Sequence, residues 1–408
     1  MAMMTARQVA DRLGVKIETV YAYVSRGTLT SHRGREDRAS LFRSADVEAL
    51  ARRGRPRRAS ATVFEVEIDT RITSIDEHGL SFRGHDAVAL ATTATFEQVA
   101  ELLWSGELAG SHTPWASSAP RPVPSSVDSE PDPALAAIDR VRLVVAQVGA
   151  EDPLRNDLRP EAVAACGRAL ISAIVESFPV IDDGRSPRLV LAGSDRPIRG
   201  TIAGRLWAHL VPGRPRPELV AVVNAALVLL IDHELAASTF AARVAASTRA
   251  DPYAVVSTGL GPFSGPFHGG ASVAARVVLE QASRAGGGAS AALSDALRLH
   301  GAYPGFGHRL YPEGDPRATE LIRLLRSAIG GSRRMAVIDD VIASAQRRAP
   351  IHPNSDFALA ALGFATTMPE ASGDVIFTVA RTAGWLAHAL EEYEEQPLRF
   401  RPRARYVG

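Results

Sequence analysis

Pro304-Gly305-Phe306-Gly307-His308-Arg309, followed shortly by Asp315-Pro316-Arg317, is the stretch on which the reading of this chain turns. Gly305 and Gly307 frame a histidine and let backbone N–H groups face a ligand. Asp-Pro then turns the chain and presents Arg317. Its planar guanidinium matches a carboxylate through two parallel hydrogen bonds. Upstream, Gly265-Pro266-Phe267-His268-Gly269-Gly270 places a second histidine where a Gly/Pro turn meets a helical pattern from Ala271 to Gln281. Partial positive charge at a helix N-terminus disfavours protonation of His268 and leaves a neutral imidazole that still donates a hydrogen bond. Downstream come Pro353-Asn354-Ser355-Asp356-Phe357 and Arg381-Thr382-Ala383-Gly384-Trp385. By itself Asp356 reads as a helix cap.

The chain has 408 residues, enough for two or three domains, with 46% hydrophobic and 6% aromatic content. Cys166 is the only cysteine, which excludes an internal disulfide framework and suits a reducing cytoplasm. The N-terminus lacks the basic-then-apolar order of a secretory signal. The longest apolar run, Leu219 to Ile231, is interrupted by Asn224 and is shorter than the roughly 20 residues of a membrane span. No membrane partner is expected. Net charge is +1, yet residues 1–60 hold 13 Lys/Arg against 6 Asp/Glu, a local net of +7. Lys16 is the only lysine, so arginine is the default cation.

Residues 1–58 read as a separate helix-turn-helix domain and basic linker. Thr5 to Gly14 is a short capped helix ending at a glycine, and Val15 to Val24 a second helix after a tight turn. Val9, Leu13, Val15 and Val20 fall between the two. This segment resembles the small DNA-binding domains of excisionase and MerR-type regulators. The resemblance offers Lys16, Thr19 and Tyr23 to a DNA groove and Arg33 and Arg35, with Arg38, to phosphates from a wing-like loop. A three-helix packing appendage is the alternative.

A β-like stretch from Ala61 to Ile75 and a small hairpin open the second region, and Phe96 to Trp104 is an amphipathic helix. Gly110 to Pro133, crowded with Ser, Pro and Ala, reads as a surface loop or disordered insertion. Beyond it the pattern is helical, with Leu219 to Ser247 one long buried helix carrying His233. The fold class expected is all-α.

As a set, these motifs resemble the citrate synthase family over about residues 61–408. The resemblance implies a large domain (59–258 and 365–408) and a small one (259–364). It implies an acyltransferase that condenses acetyl-CoA with oxaloacetate to citrate and CoA. His268 would donate to the thioester oxygen, His308 would polarise the ketone, and Asp356 would accept the proton. His233, Arg317, Arg381 and Arg401 would bind oxaloacetate, Arg401 in the neighbouring subunit's site of a homodimer. Coenzyme A, a co-substrate and not a resident cofactor, would lie along Ala302, Tyr303, Gly305, Phe306 and Gly307, with Arg309 beside it. No metal is expected. Three departures stand out: Ala358-Leu359-Ala360 replaces the common Tyr-Ser-Gly, Ala236 and Ala237 stand where an Asn is common, and Pro312 stands where the family often places Lys or Arg. A 2-methylcitrate synthase using propionyl-CoA is the near alternative. A DNA-binding regulator that senses oxaloacetate or acyl-CoA is the alternative from another class.

Overall fold

A computed structural model describes residues 3–13, 17–25, 29–33, 40–44, 46–47, 67–76, 79–111, 114–116, 133–179, 200–263, 265, 270–284, 287–404 and 406. The backbone divides into two compact units, Met1–Asp69 and Thr70–Gly408. The expected boundary at 58/59 lies outside the described residues.

The first unit pairs two helices, α1 (Ala6–Leu13) and α2 (Ile17–Ser25), with a small antiparallel sheet. Its strands β1 (Met3–Thr5), β2 (His32–Arg33) and β3 (Ser40–Arg43) run in the order β1-β3-β2. Thr5 and Gln8 cap α1 reciprocally: the Gln8 N–H donates to Thr5 Oγ1 at 3.4 Å and the Thr5 N–H to Gln8 Oε1 at 2.9 Å. Val9, Val20, Leu29, Phe42 and Val47 form a small closed core. The first strand was not expected. The wing expected around Arg33 is a β2–β3 hairpin whose tip, with Arg35 and Arg38, lies outside the described residues.

The second unit opens on the meander β4 (Thr73–Asp76), β5 (Gly79–Phe82) and β6 (His85–Asp86). Among the described residues of this unit the rest is helical. The helices are α3 (Ala87–Thr93), α4 (Phe96–Ser105), α5 (Pro133–Glu151), α6 (Pro160–Glu176), α7 (Ile202–Leu210) and α8 (Pro217–Leu229), then α9 (Ala237–Ser247), α10 (Pro252–Phe263), α11 (Ala271–Ser283), α12 (Ala289–His300), α13 (Pro316–Ile329), α14 (Arg333–Gln346), α15 (Ser355–Thr366) and α16 (Ser372–Glu394). No described helix is long and apolar enough to cross a membrane. Starts follow local chemistry. Thr95 and Gln98 form a capping box on α4, and Pro at the first position opens α6, α8 and α13. Helix α16 is buried on nearly every face, with Trp385 fully enclosed, and it carries buried Arg381, His388, Glu391 and Glu392.

Two expectations are corrected. The apolar run 219–247 is two helices, α8 and α9, broken at 230–236, where Glu234 takes φ 49°. His233 therefore sits in a turn and not on a helix. Part of the 110–133 segment is anchored: Trp115 is buried and stacks on Trp104 at 5.6 Å.

Ala236, at the N-cap of α9, supplies no side-chain acceptor to the first turn. Ala236→Asn is expected to stabilise the protein by about 0.5–2 kcal/mol, read as a higher midpoint in denaturant unfolding at unchanged slope.

Candidate active site

Asp315 organises the loop that carries His308. Its carboxylate caps α13 by accepting the Arg317 N–H at 3.0 Å, and it takes the Arg317 side chain twice, Nε on Oδ1 at 2.9 Å and Nη2 on Oδ2 at 2.8 Å. It also accepts the Ser355 N–H at 3.1 Å, reaching the start of α15. Burial alone would raise the Asp315 carboxyl. The Arg317 charge and hydrogen bonds outweigh that and hold it below the ordinary range.

The same two segments are zipped by backbone. Gly307 N–H donates to the His352 carbonyl at 2.8 Å, Asn354 N–H to Gly305 at 2.9 Å, and Asn354 Nδ2 to the Gly307 carbonyl at 3.0 Å. Gly305 takes φ 79°, and a Cβ there would fall 2.7 Å from Phe357 Cβ. No other residue type fits that approach without strain. Asn354 also caps α15 through its side chain, accepting from the Asp356 and Phe357 N–H groups. The cap is thus Asn354, and Asp356 sits in the first turn with its carboxylate released from capping.

Around Arg317 the side chains converge. His308 Nε2 lies 3.4 Å from Arg317 Nη2, and the His308 ring meets His233 edge-on at 5.3 Å between centroids. His308 Nδ1 accepts the Leu310 N–H at 3.2 Å. Nε2, the nitrogen facing the cluster, is met by the Arg317 Nη2 donor, so hydrogen-bond donors approach both ring nitrogens. Burial lowers the His308 pKa, with Arg317 adding and Asp315 opposing. Burial likewise lowers His233, joined by the charges of Arg317 and Arg381. Asp356 is pushed up to about 6 by burial; Arg317 opposes, while Asp374 and Asp315 add.

Tyr311 went unnoticed in the sequence. Its hydroxyl lies 3.0 Å from His233 Nε2, its ring is 4.9 Å from that of His308, and the Arg317 guanidinium lies 5.6 Å from its centre. Burial raises its phenol to about 12, so it stays protonated. A single tyrosine in a loop carries no spacing signal.

Arg381 is buried on α16. Its Nε donates to the Leu230 carbonyl at 3.0 Å, its guanidinium covers Phe377 at 4.7 Å, and its Nη1 is a buried donor with no acceptor among the described residues. Burial lowers its pKa to about 10, with Asp232 opposing, so it remains a cation. A buried guanidinium with an unmet donor is the chemistry that receives a carboxylate.

His268, Lys16 and Arg35 lie outside the described residues. Just after His268, Gly270 takes φ 77° as the N-cap of α11, and Ser272 Oγ donates to Asp374 at 2.8 Å. Tyr303 and Phe306 are half-buried, while Ala302, Gly307 and Arg309 are exposed beside His308. Arg401 is exposed in the C-terminal tail. In the first unit Thr19 is half-buried, and Tyr23 packs partly on the core; Tyr21, 50% exposed, is the open aromatic of α2. Arg33 lies in β2.

A family model described as the citrate synthase C-terminal domain matches residues 65–403. The chain belongs to the citrate synthase family. A helix-turn-helix domain model matches residues 3–55 of this family member. Among curated relatives, citrate synthase 2 of Bacillus subtilis is 31% identical over 360 residues, 84% of this chain and 94% of that protein. A 2-methylcitrate synthase of Mycobacterium tuberculosis is also 31% identical, over 81% of this chain and 85% of its own. The crystal structure of citrate synthase from Thermotoga maritima superposes with a TM-score of 0.60 at 25% identity, covering 86% of this chain and 94% of that one. The Thermoplasma acidophilum enzyme, solved with carboxymethyl coenzyme A and oxaloacetate, shares the fold with a TM-score of 0.62 at 22% identity, covering 84% and 94%. The all-α expectation for this citrate synthase-family chain is thereby met.

Gly305→Ala is expected to cost about 1–3 kcal/mol, because it combines a left-handed φ with a clash against Phe357. Denaturant unfolding measures this directly.

Proposed function

We propose that this chain condenses acetyl-CoA with oxaloacetate to citrate and CoA. The observation that carries the reading is the convergence of His233, His308 and Arg317, with a strained-pKa carboxylate, Asp356, within electrostatic reach of Arg317.

The chemistry needs a base, two hydrogen-bond donors and a carboxylate clamp. Asp356 takes a proton from the acyl methyl group, and a pKa near 6 leaves it ionised at neutral pH while still basic enough to accept that proton. His268 is assigned to the enol oxygen of the thioester. His308 is assigned to the ketone oxygen of oxaloacetate, where a ring N–H would hold the alkoxide as the new carbon–carbon bond forms. Arg317 and Arg381 receive carboxylates. The Nε/Nη2 edge of Arg317 is already held by Asp315, which leaves its other edge for substrate, and Arg381 offers its unmet Nη1. His233 and Tyr311 complete the keto-acid side. Water then cleaves the thioester and releases CoA. Coenzyme A is assigned to Ala302, Tyr303, Gly305, Phe306 and Gly307, with Arg309 near its phosphates. Arg401 is assigned to the neighbouring protomer's site in a homodimer. Closure of 259–364 on the remaining helices would exclude water and strengthen these hydrogen bonds.

Propionyl-CoA adds one methylene, worth about 1–3 kcal/mol of pocket preference, and the 2-methylcitrate synthase relative keeps it in view. The deciding assay is release of free thiol from acetyl-CoA and from propionyl-CoA, with and without oxaloacetate. Release with neither thioester would favour a sensor over an enzyme. Asp356→Asn is expected to lower turnover by roughly 10²–10⁴ fold. The base works ionised, so kcat/KM in the wild type should be full above pH 6 and fall as pH drops through about 6.

For the first unit we propose DNA as partner, contacted by Lys16, Thr19, Tyr23, Arg33 and Arg35. The local charge of +7 over residues 1–60 supports this. A mobility shift with duplex DNA and the full-length chain should weaken steeply as salt rises. No shift at low ionic strength would remove the proposal.

A further inference from the structure

We infer that His388 is a positioning residue for the oxaloacetate side of the site, acting through Asp232. The inference rests on the condensation reading above and deepens it.

The turn 230–236 holds two parts of the keto-acid site. It carries His233, and its Leu230 carbonyl holds Arg381 by Nε at 3.0 Å. Asp232-His233-Glu234 ends the apolar run there. Asp232 belongs to a buried polar chain. Asp232, fully enclosed, accepts Thr73 Oγ1 at 2.5 Å and faces His388 Nε2 at 3.2 and 3.3 Å from its two oxygens. On the far side of the ring, His388 Nδ1 meets Arg243 Nη1 at 2.9 Å. Arginine can only donate, so Nδ1 carries the lone pair and the ring N–H is on Nε2, directed at Asp232. Arg243 is itself held by two carboxylates, Glu392 through Nε at 3.0 Å and Glu391 through Nη1 at 2.9 Å. All of these groups are at most 8% exposed.

Each link in this chain has one polarity. The carboxylates fix Arg243, Arg243 fixes the His388 tautomer, and His388 donates to Asp232. Asp232 stays ionised: burial opposes that, and His388, Arg381 and Thr73 together outweigh it. Its charge is the counter-ion of Arg381, whose remaining donor is the one left for substrate. Gly384 leaves room for this turn, since any Cβ there would strike the Ile231 carbonyl. Removing the His388 donor leaves a buried carboxylate short of a partner, and the turn must move to solvate it. His233 and the Arg381 carbonyl anchor would move with it. The residues assigned to coenzyme A, Ala302, Tyr303, Gly305, Phe306, Gly307 and Arg309, are no part of this buried polar chain.

The geometry prescribes a conservative replacement. Glutamine can accept from Arg243 through Oε1 and donate to Asp232 through Nε2; leucine can do neither. Oxaloacetate binding measured by calorimetry on the full-length chain, with steady-state kinetics alongside, tests this. His388→Leu should weaken the oxaloacetate Kd by about tenfold or more, the scale of one hydrogen bond to a buried charge. The KM for acyl-CoA should stay within about threefold, and His388→Gln should remain near wild type. An oxaloacetate Kd unchanged in folded His388→Leu, or a Gln variant as weak as the Leu variant, would overturn the inference. Should His388→Leu lose its native circular dichroism, His388→Gln and His388→Asn decide. Asn is one carbon too short to span both partners, so equal Kd values for the two would also overturn it. Absence of oxaloacetate binding in the wild type would instead overturn the condensation reading itself.

Discussion

The buried pair between Asp315 and Arg317 is the constraint on which the site depends. A lone carboxylate or guanidinium at this depth would be costly; the two are tolerated because they satisfy one another bidentately. The pair then does three further jobs. It caps α13, it ties the start of α15 through the Ser355 N–H, and its arginine adds to the burial that lowers the His308 pKa, with Asp315 opposing.

Electrostatics across the pocket are arranged so that each group is held in a different protonation state. Arg317 and Arg381 remain cations, His233 and His308 are neutral, and Asp356 titrates near 6. Burial drives most of these shifts, but its sign differs by group type: it raises the acid and lowers the bases. Burial thus moves Asp356 and the two histidines to opposite sides of their ordinary ranges.

What was legible in the sequence follows from the range of the interactions involved. Asp315-Pro316-Arg317 is a local motif: the turn and the proline were legible within three residues, but the pairing of Arg317 with Asp315 was not read from them. The start of α15 was misread by two residues, because Asn354 and Asp356 are both acceptable caps and only the backbone decides between them. The 230–236 turn was missed for a different reason. The buried Asp232 carboxylate there is satisfied by Thr73 and His388, which are 159 and 156 residues away in sequence, and no local pattern shows those partners. The strand Met3–Thr5 is too short to show alternation and exists only through pairing with Ser40–Arg43.

The backbone zipper between Gly305–Gly307 and His352–Asn354 means that His308 and Asp356, the proposed ketone-polarising donor and proton acceptor, ride on a single mechanical piece. Motion of one segment drags the other, so the spacing between His308 and Asp356 is preserved while the piece as a whole approaches or leaves the keto-acid side. Damage to this joint would accordingly register in both functions at once, and the energetic effects of altering His308 and Asp356 would not sum as they do for independent residues.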